Sequence, residues 1–330
     1  MDMTGSPTVR DVARHAGVSV ATVSRSLNNQ PGISADTRQR VLDAASSLGY
    51  NLGNLRPARP RRVVFLHRRE SQTVSDNPFY SHVLHGVEDA CRAEKLGLSF
   101  CSVAHDDPVP ELIARQEADG VVCVGYFEPH QLRSVLELNV PAVLVDHWFP
   151  GMTCVNSDNF AGAYLLTRHL IELGRRRIAF INGPLTHYSI AQRQQGYRHA
   201  LLAYGLTPDS ALEVPRDPLD DEAGTDSAVQ RLMRLPQPPD AIVAYNDATA
   251  LSVLRSCQRL GLSVPSDVAV VGFDDLASAA QSIPPLTTIR VDKQALGRQG
   301  VEYLLNRTPE PQQLVLPVAL VVRGSSVSQP

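Results

Sequence analysis

The chain has 330 residues, 43% of them hydrophobic, and a net charge of −3, which allows two or three domains and a sizeable core. That charge is uneven: through residue 62 nine arginines meet four aspartates, a balance of +5, so the remainder carries −8, as in a basic nucleic-acid-binding head on an acidic body. The N-terminus MDMTGSPT has no apolar leader, no run is long and apolar enough to span a bilayer, and Cys91, Cys101, Cys123, Cys154 and Cys257 include no C-x-x-C pair; an exported binding protein, a membrane protein, a disulfide framework and a zinc site are disfavoured, and a reducing cytoplasm is expected.

The first elements read as a helix pair over residues 8–28. Thr8 caps the first helix, Val12, Ala13 and Ala16 give it one apolar face, and Gly17 supplies a left-handed turn that a residue with a Cβ resists. Ser19 caps the second helix. Its inward positions Val23 and Leu27 recur at helical spacing, leaving Val20, Ala21, Thr22, Ser24 and Arg25 outward, with Asn28 at the end. A small, hydroxylated face ending in arginine fits the DNA major groove, hydroxyls meeting phosphates and side chains reaching base edges. Val20 and Ala21 can sense thymine methyls but carry no hydrogen-bond code, so Arg25 is the main polar reader. A bare helix pair with a glycine turn is also an ordinary piece of a core.

Ser34 caps a third helix with Asp36 in its first turn; Val41, Leu42, Ala45 and Leu48 form its apolar face, and it ends near Gly49. Residues 51–62, rich in proline and arginine, read as a linker. Beyond it, short apolar runs at 63–66, 98–103, 121–124, 142–145, 178–181, 241–244 and 268–273 alternate with amphipathic segments. That alternation predicts parallel sheets in two Rossmann-like α/β lobes, with a ligand cleft at the carboxyl ends of the strands. The closing SSVSQP reads as a frayed tail.

The segments DVA, AGVS and TVSR of the helix pair resemble the LacI family of transcription regulators. So do NPFYSHVLHGVEDA, SDNFAGAYLLTRHLIELGRRRIAFINGP, YNDATA, VPSDVAVVGFDD and IPPLTTIRVD, in family order along the body. The resemblance implies an N-terminal three-helix helix-turn-helix headpiece followed by two Rossmann-like lobes of the periplasmic-binding-protein type. It divides the chain into a DNA-binding headpiece at 1–50, a hinge at 51–62 and an effector-binding and dimerisation domain at 63–330. Three crossovers between lobes put about 63–158 plus 288–320 in lobe one and about 159–287 in lobe two. In the hinge, Leu55 falls in register with the family's leucine that enters the minor groove and kinks operator DNA, and Arg56 follows as a phosphate contact. Here the chain departs from the pattern: the stretch from Tyr50 to Leu55 is about one helical turn short, and Gly53, Pro57 and Pro60 oppose a full hinge helix.

The resemblance also implies that Arg193 and Asp274 grip the effector, a planar fork of donors beside a carboxylate that accepts from hydroxyls or ring N–H groups. Asn246 opens a helix in the same cleft, Phe79 and Tyr80 form its apolar wall, and Asp146, His187 and Ser189 lie at strand ends or loops. Asp146 and Asp275 have an equal alternative in helix capping or holding the lobes together. His105 and His147 read as polar loop residues, and Trp148 as a stacking or packing aromatic.

The expected function is that of a cytoplasmic, sequence-specific repressor. It binds double-stranded, palindromic operator DNA as a homodimer, because one recognition helix reads too few base pairs. It responds to a small-molecule effector, commonly a sugar or sugar derivative in this family, and induction and corepression are equally allowed by linkage. No leucine heptad follows Val322, which favours a dimer over a tetramer. No cofactor and no membrane partner are expected. A Gly-rich phosphate loop, G-x-S-x-G and H-E-x-x-H are all absent, and the adjacent Asp274 and Asp275 diverge, so enzymatic function is not expected. The alternative is a small-molecule sensor with weak specific DNA binding because of the short hinge.

Overall fold

In a computed structural model describing residues 7–27, 32–50, 60–68, 78–138, 140–215, 221–306, 308 and 310–327, the chain divides into two units, Met1–Arg59 and Pro60–Pro330. The first holds α1 (Val9–Ala16), α2 (Val20–Leu27) and α3 (Ala35–Ser47). Val12, Ala13, Val23, Val41, Ala44, Ala45 and Tyr50 form its core. The expected apolar face of α3 needs one correction. Leu42 is exposed and Ala44 is buried in its place, because positions 41, 44, 45 and 48 repeat at helical spacing on one face, whereas 42 lies about 100° round the helix from 41.

The second unit begins with β1 (Arg62–Arg68), α4 (Pro78–Ala93), β2 (Gly97–Val103), α5 (Val109–Arg115), β3 (Gly120–Val124), α6 (Pro129–Glu137), β4 (Ala142–Val145) and β5 (Thr153–Ser157). It continues through α7 (Asn159–Glu172), β6 (Ile178–Asn182), α8 (Tyr188–Ala203), β7 (Glu213–Pro215), α9 (Asp221–Met233), β8 (Ala241–Ala244), α10 (Asp247–Arg259), β9 (Ala269–Val271) and α11 (Ala277–Gln281). The last elements are β10 (Thr288–Arg290), α12 (Lys293–Leu305), β11 (Gln313–Leu316) and β12 (Ala319–Val321). Strands β11-β5-β4-β3-β1-β2 form one parallel sheet and β7-β6-β8-β9 a second, while β10 and β12 pair antiparallel.

Helices cover both faces of each parallel sheet, so strands such as Gly120–Val124 and Ile178–Asn182 are buried along their whole length. Helix α12 packs on α4 and on β3, β4 and β5. The two helices touch through glycines: a Cβ at Gly86 would collide with the Gln294 carbonyl, and one at Gly297 with the Val83 carbonyl.

Sequence periodicity missed β5, β7, β10, β11 and β12, which are short or carry polar residues. Their strand conformation comes from pairing with β4, β6, β12, β5 and β10 respectively. The closing segment is not frayed where it is described. Ser325 and Ser326 are buried; Ser325 Oγ donates to the Val270 carbonyl at 2.5 Å and accepts from Thr287 N–H at 2.8 Å, and Ser326 Oγ lies 2.9 Å from His169 Nε2. These bonds stitch the end of the chain onto β9, and a lost partner would leave buried polar groups unsatisfied.

Candidate functional site

In the first unit, Thr8 closes a reciprocal capping box. Its hydroxyl accepts from Asp11 N–H at 3.4 Å, and its own N–H donates to Asp11 Oδ2 at 2.9 Å. The hydrogen bond from the Thr8 hydroxyl is the main cause holding the Asp11 carboxyl below the usual aspartate range. Gly17 ends α1 with φ of 66°, in the left-handed region. Ser19 Oγ accepts from Thr22 N–H at 3.0 Å and lies 2.8 Å from the Thr22 hydroxyl, so both hydroxyls sit at the N-terminus of α2. Val20, at 45% exposure, Ala21 and Arg25 point to solvent, Thr22 and Ser24 are half-buried, and Val23 is buried. The face thus displays the side chains needed to meet a groove. Asn28, Leu55 and Arg56 lie outside the described residues.

In the second unit, the carboxyl ends of the two parallel sheets face each other. Asp146 follows β4 in the left-handed region at φ of 60°, uncommon for a residue with a Cβ and typical of a constrained site. Its Oδ1 accepts from the Ser189 hydroxyl at 2.7 Å and its Oδ2 from the Tyr80 hydroxyl at 3.2 Å. Burial pushes the Asp146 carboxyl up, against the pull of Arg193, Ser189 and Tyr80. His187 Nε2 lies 3.4 Å from the Tyr80 hydroxyl and 3.8 Å from Asp146 Oδ2. His147 Nδ1 accepts from Tyr188 N–H at 3.3 Å, and the His147 ring stands 5.5 Å from that of His187 and 5.3 Å from that of Tyr126. Burial pushes His147 down to about 4, and burial with the nearby Arg193 guanidinium pushes His187 down to about 3. Both imidazoles are therefore neutral at pH 7.

Each nitrogen of Arg193 has a partner. Its Nε donates to Asn159 Oδ1 at 2.8 Å, Nη1 to the Tyr245 carbonyl at 2.6 Å and Nη2 to Asp274 Oδ1 at 3.4 Å, while the guanidinium carbon lies 3.7 Å over the Phe273 ring. Asp274 is buried, with φ of 117°. Burial raises its carboxyl to about 6, with Arg193 and Lys293 opposing. Asp275 is engaged elsewhere. Its carboxylate accepts from Arg290 at 2.7 Å and Arg323 at 2.6 Å, tying β10 and the C-terminal segment to the end of β9.

The structure thus brings together Tyr80, Asp146, His187 and Ser189, and pairs Arg193 with Asp274. Asn246 is the N-cap of α10, its Oδ1 accepting from Thr249 N–H at 2.9 Å. Phe79 lies in the core, edge-on to Tyr80 with ring centroids 5.2 Å apart. His147, expected as a loop residue, is buried at the cleft. His105 stays on the surface near Glu128, and Trp148 is exposed. Sequence reasoning missed Tyr126, Asn159, Asp247, Phe273 and Lys293. Only position marked them: Asn159 opens the helix after β5, and Asp247 follows Asn246. Among the described residues no group of three or more His, Cys, Asp or Glu is placed to hold a metal ion, and no helix is long and apolar enough to cross a membrane.

Known proteins share this arrangement. Residues 8–51 match the profile of bacterial regulatory proteins of the lacI family, and residues 167–326 match a periplasmic binding protein-like domain. The ribose operon repressor of Escherichia coli strain K12 is 33% identical over 97% of this chain and 99% of its own length. The HTH-type transcriptional repressor CytR of the same strain is 33% identical over 98% and 97%. Among solved structures, a transcriptional regulator CelR–cellobiose complex is 33% identical with a TM-score of 0.73, covering 97% of this chain and 99% of that one. The lac repressor dimer bound to operator and the anti-inducer ONPF is 26% identical with a TM-score of 0.72, covering 98% and 100%. A capped helix pair with an exposed outer face, two facing parallel sheets and near-complete alignment to these repressors lead to one conclusion: the chain belongs to the lacI family of transcription regulators, a family of non-enzymatic repressors.

Proposed function

We infer that the protein represses transcription by reading a palindromic operator as a dimer through the outward face of α2, and that an uncharged carbohydrate in the cleft controls it. In this reading 1–50 is the headpiece, 51–62 the linker and 63–330 the effector and dimerisation domain. Dimerisation is supported by the dimeric, operator-bound lac repressor relative and by the small number of base pairs one recognition helix can read.

The observation that carries the effector class is charge. Among the described residues, the cations at the cleft already have partners. Arg193 is ion-paired with Asp274 at 3.4 Å, Arg68 lies 3.2 Å from Glu128 and 4.9 Å over the Tyr126 ring, and Lys293 donates to carbonyls. His147 and His187 are neutral. A phosphate ester entering here would meet Asp146 and Asp274 with no uncommitted cation to offset its desolvation. A neutral polyol instead offers donors to the two carboxylates, acceptors to the imidazole and phenol groups, and an apolar face to the rings. The cellobiose-bound relative and the ribose operon repressor are consistent with this class.

A thermal-shift panel that includes D-ribose, cellobiose and D-ribose 5-phosphate tests it. A neutral sugar is expected to raise the melting temperature, with its phosphate ester at least roughly 100-fold weaker, about 2.7 kcal/mol at 25 °C. Tighter binding of the ester would overturn the assignment.

For the reading face, Arg25→Ala is expected to weaken binding to an operator obtained by in vitro selection by about 1 to 3 kcal/mol if it reads a guanine bidentately. Mobility shift at fixed salt measures this; an unchanged sequence preference would remove Arg25 from the readout.

A further inference from the structure

Lys293, the first residue of α12, is buried, yet among the described residues none of its ammonium hydrogen bonds goes to a carboxylate. Its Nζ donates to the backbone carbonyls of Asp274, Asp275 at 3.4 Å and Val291 at 3.3 Å. Asp274 and Asp275 are consecutive residues with positive φ, 117° and 52°, a conformation that persists only where surrounding contacts over-determine it. Lys293 is one such contact, and it comes from a helix packed on α4 and the first sheet, whereas the kink it holds ends β9 of the second sheet.

The other end of α12 reaches the point where the chain enters this unit. Leu304 is buried, and a methyl group added at Gly120 would meet Leu304 Cδ2 at 2.9 Å and Pro60 Cβ at 3.3 Å. Beside them, the Asp119 carboxylate accepts from Arg61 N–H at 2.8 Å and Arg62 N–H at 2.7 Å. The 13 residues of α12 span about 20 Å as a single helix.

We propose that Lys293 is a positioning residue for Asp274, and that α12 is the rigid rod through which the state of the cleft reaches the linker entrance at Pro60. The proposal rests on the reading of the cleft as the effector site. A shift of the Asp274 backbone pulls the N-terminus of α12 through Lys293, and a helix held by interhelical glycine contacts moves as one piece, carrying Leu304 against Pro60. The coupling must also run in reverse.

The test is amide hydrogen exchange on the full-length protein without ligand or DNA. Lys293→Met keeps the length and bulk of the side chain but removes its donors. It is expected to speed exchange at least roughly fivefold in peptides covering 272–276 and also 60–66, with α9 unchanged. Lys293→Arg, which retains donors, restores protection. Leu304→Val, far from the cleft, is expected to speed exchange at 272–276. Changes confined to each variant's own end of the helix, or wild-type behaviour of Lys293→Met, overturn the proposal. Should Lys293→Met fail to fold, the Leu304→Val arm decides alone. A wrong carbohydrate assignment would emerge in the thermal-shift panel on the wild-type protein and leave this result untouched.

Discussion

Replacing Arg193 by methionine is expected to destabilise the 60–330 unit by about 3 to 5 kcal/mol and to abolish the response to the effector while the headpiece still binds DNA. The fork serves Asn159 Oδ1, the Tyr245 carbonyl and Asp274 Oδ1, and Asp274 and Asn159 are buried. Methionine fills the space over the Phe273 ring but leaves these acceptors without a donor, which costs the desolvation of each. The loss is bounded because Asp274, already raised to about 6, takes up a proton when its cation goes. Asp274→Asn in the same chain should therefore recover part of the loss, a positive coupling in a double-mutant cycle. Urea denaturation of the single and double variants measures it, with operator mobility shifts reporting the response. Equal stability of Arg193→Met and wild type would show that the guanidinium does not sustain the cleft.

The second large effect is on acid stability. His147 and His187 have folded-state values of about 4 and about 3, below the 6.5 of an unfolded histidine. A depressed value means the unfolded chain binds the proton first. The stability they contribute is whole above pH 6.5 and is lost as pH falls toward 4, with a slope approaching about 1.4 kcal/mol per pH unit for each imidazole. Asp274 and Asp247, raised by burial to about 6 and about 8, have the opposite slope, since the fold holds their protons. The clean measurement is therefore a difference. Relative to wild type, His187→Asn should gain stability progressively as pH falls from 6.5 to 4, reaching about 3 kcal/mol beyond whatever constant change the substitution brings. Denaturation midpoints across that range report it, and a pH-independent difference would mean that His187 is protonated in the folded protein.

The capped helix pair of the headpiece was legible from the chain alone, because its determinants act within four residues. Thr8 reaches Asp11, Gly17 turns back onto Ala13, and Ser19 caps Thr22. The βα alternation was legible for the same reason, as was the charge division between head and body. Leu42 went wrong because its hydrophobicity was weighed above its spacing: the i, i+3, i+4, i+7 face that starts at Val41 takes Ala44, not Leu42. The polar strands and the buried Ser325 and Ser326 were illegible because their conformation is set by partners elsewhere in the chain.

The cleft divides along the same line. Family wording marked Arg193 and Asp274, but not what else the arginine holds. Its partners stand 34, 52 and 81 residues away, and one of them is a backbone carbonyl that no side-chain pattern advertises. Nor did the adjacency of Asp274 and Asp275 tell which carboxylate faces the cleft and which ties down Arg290 and Arg323. By itself the sequence determined the helices, their caps, the α/β order and the basic head. The tertiary structure alone decided which polar groups pair with one another in the cleft, because hydrogen-bond partners at strand ends are chosen by how the two sheets face each other, a relation that neighbouring residues do not encode.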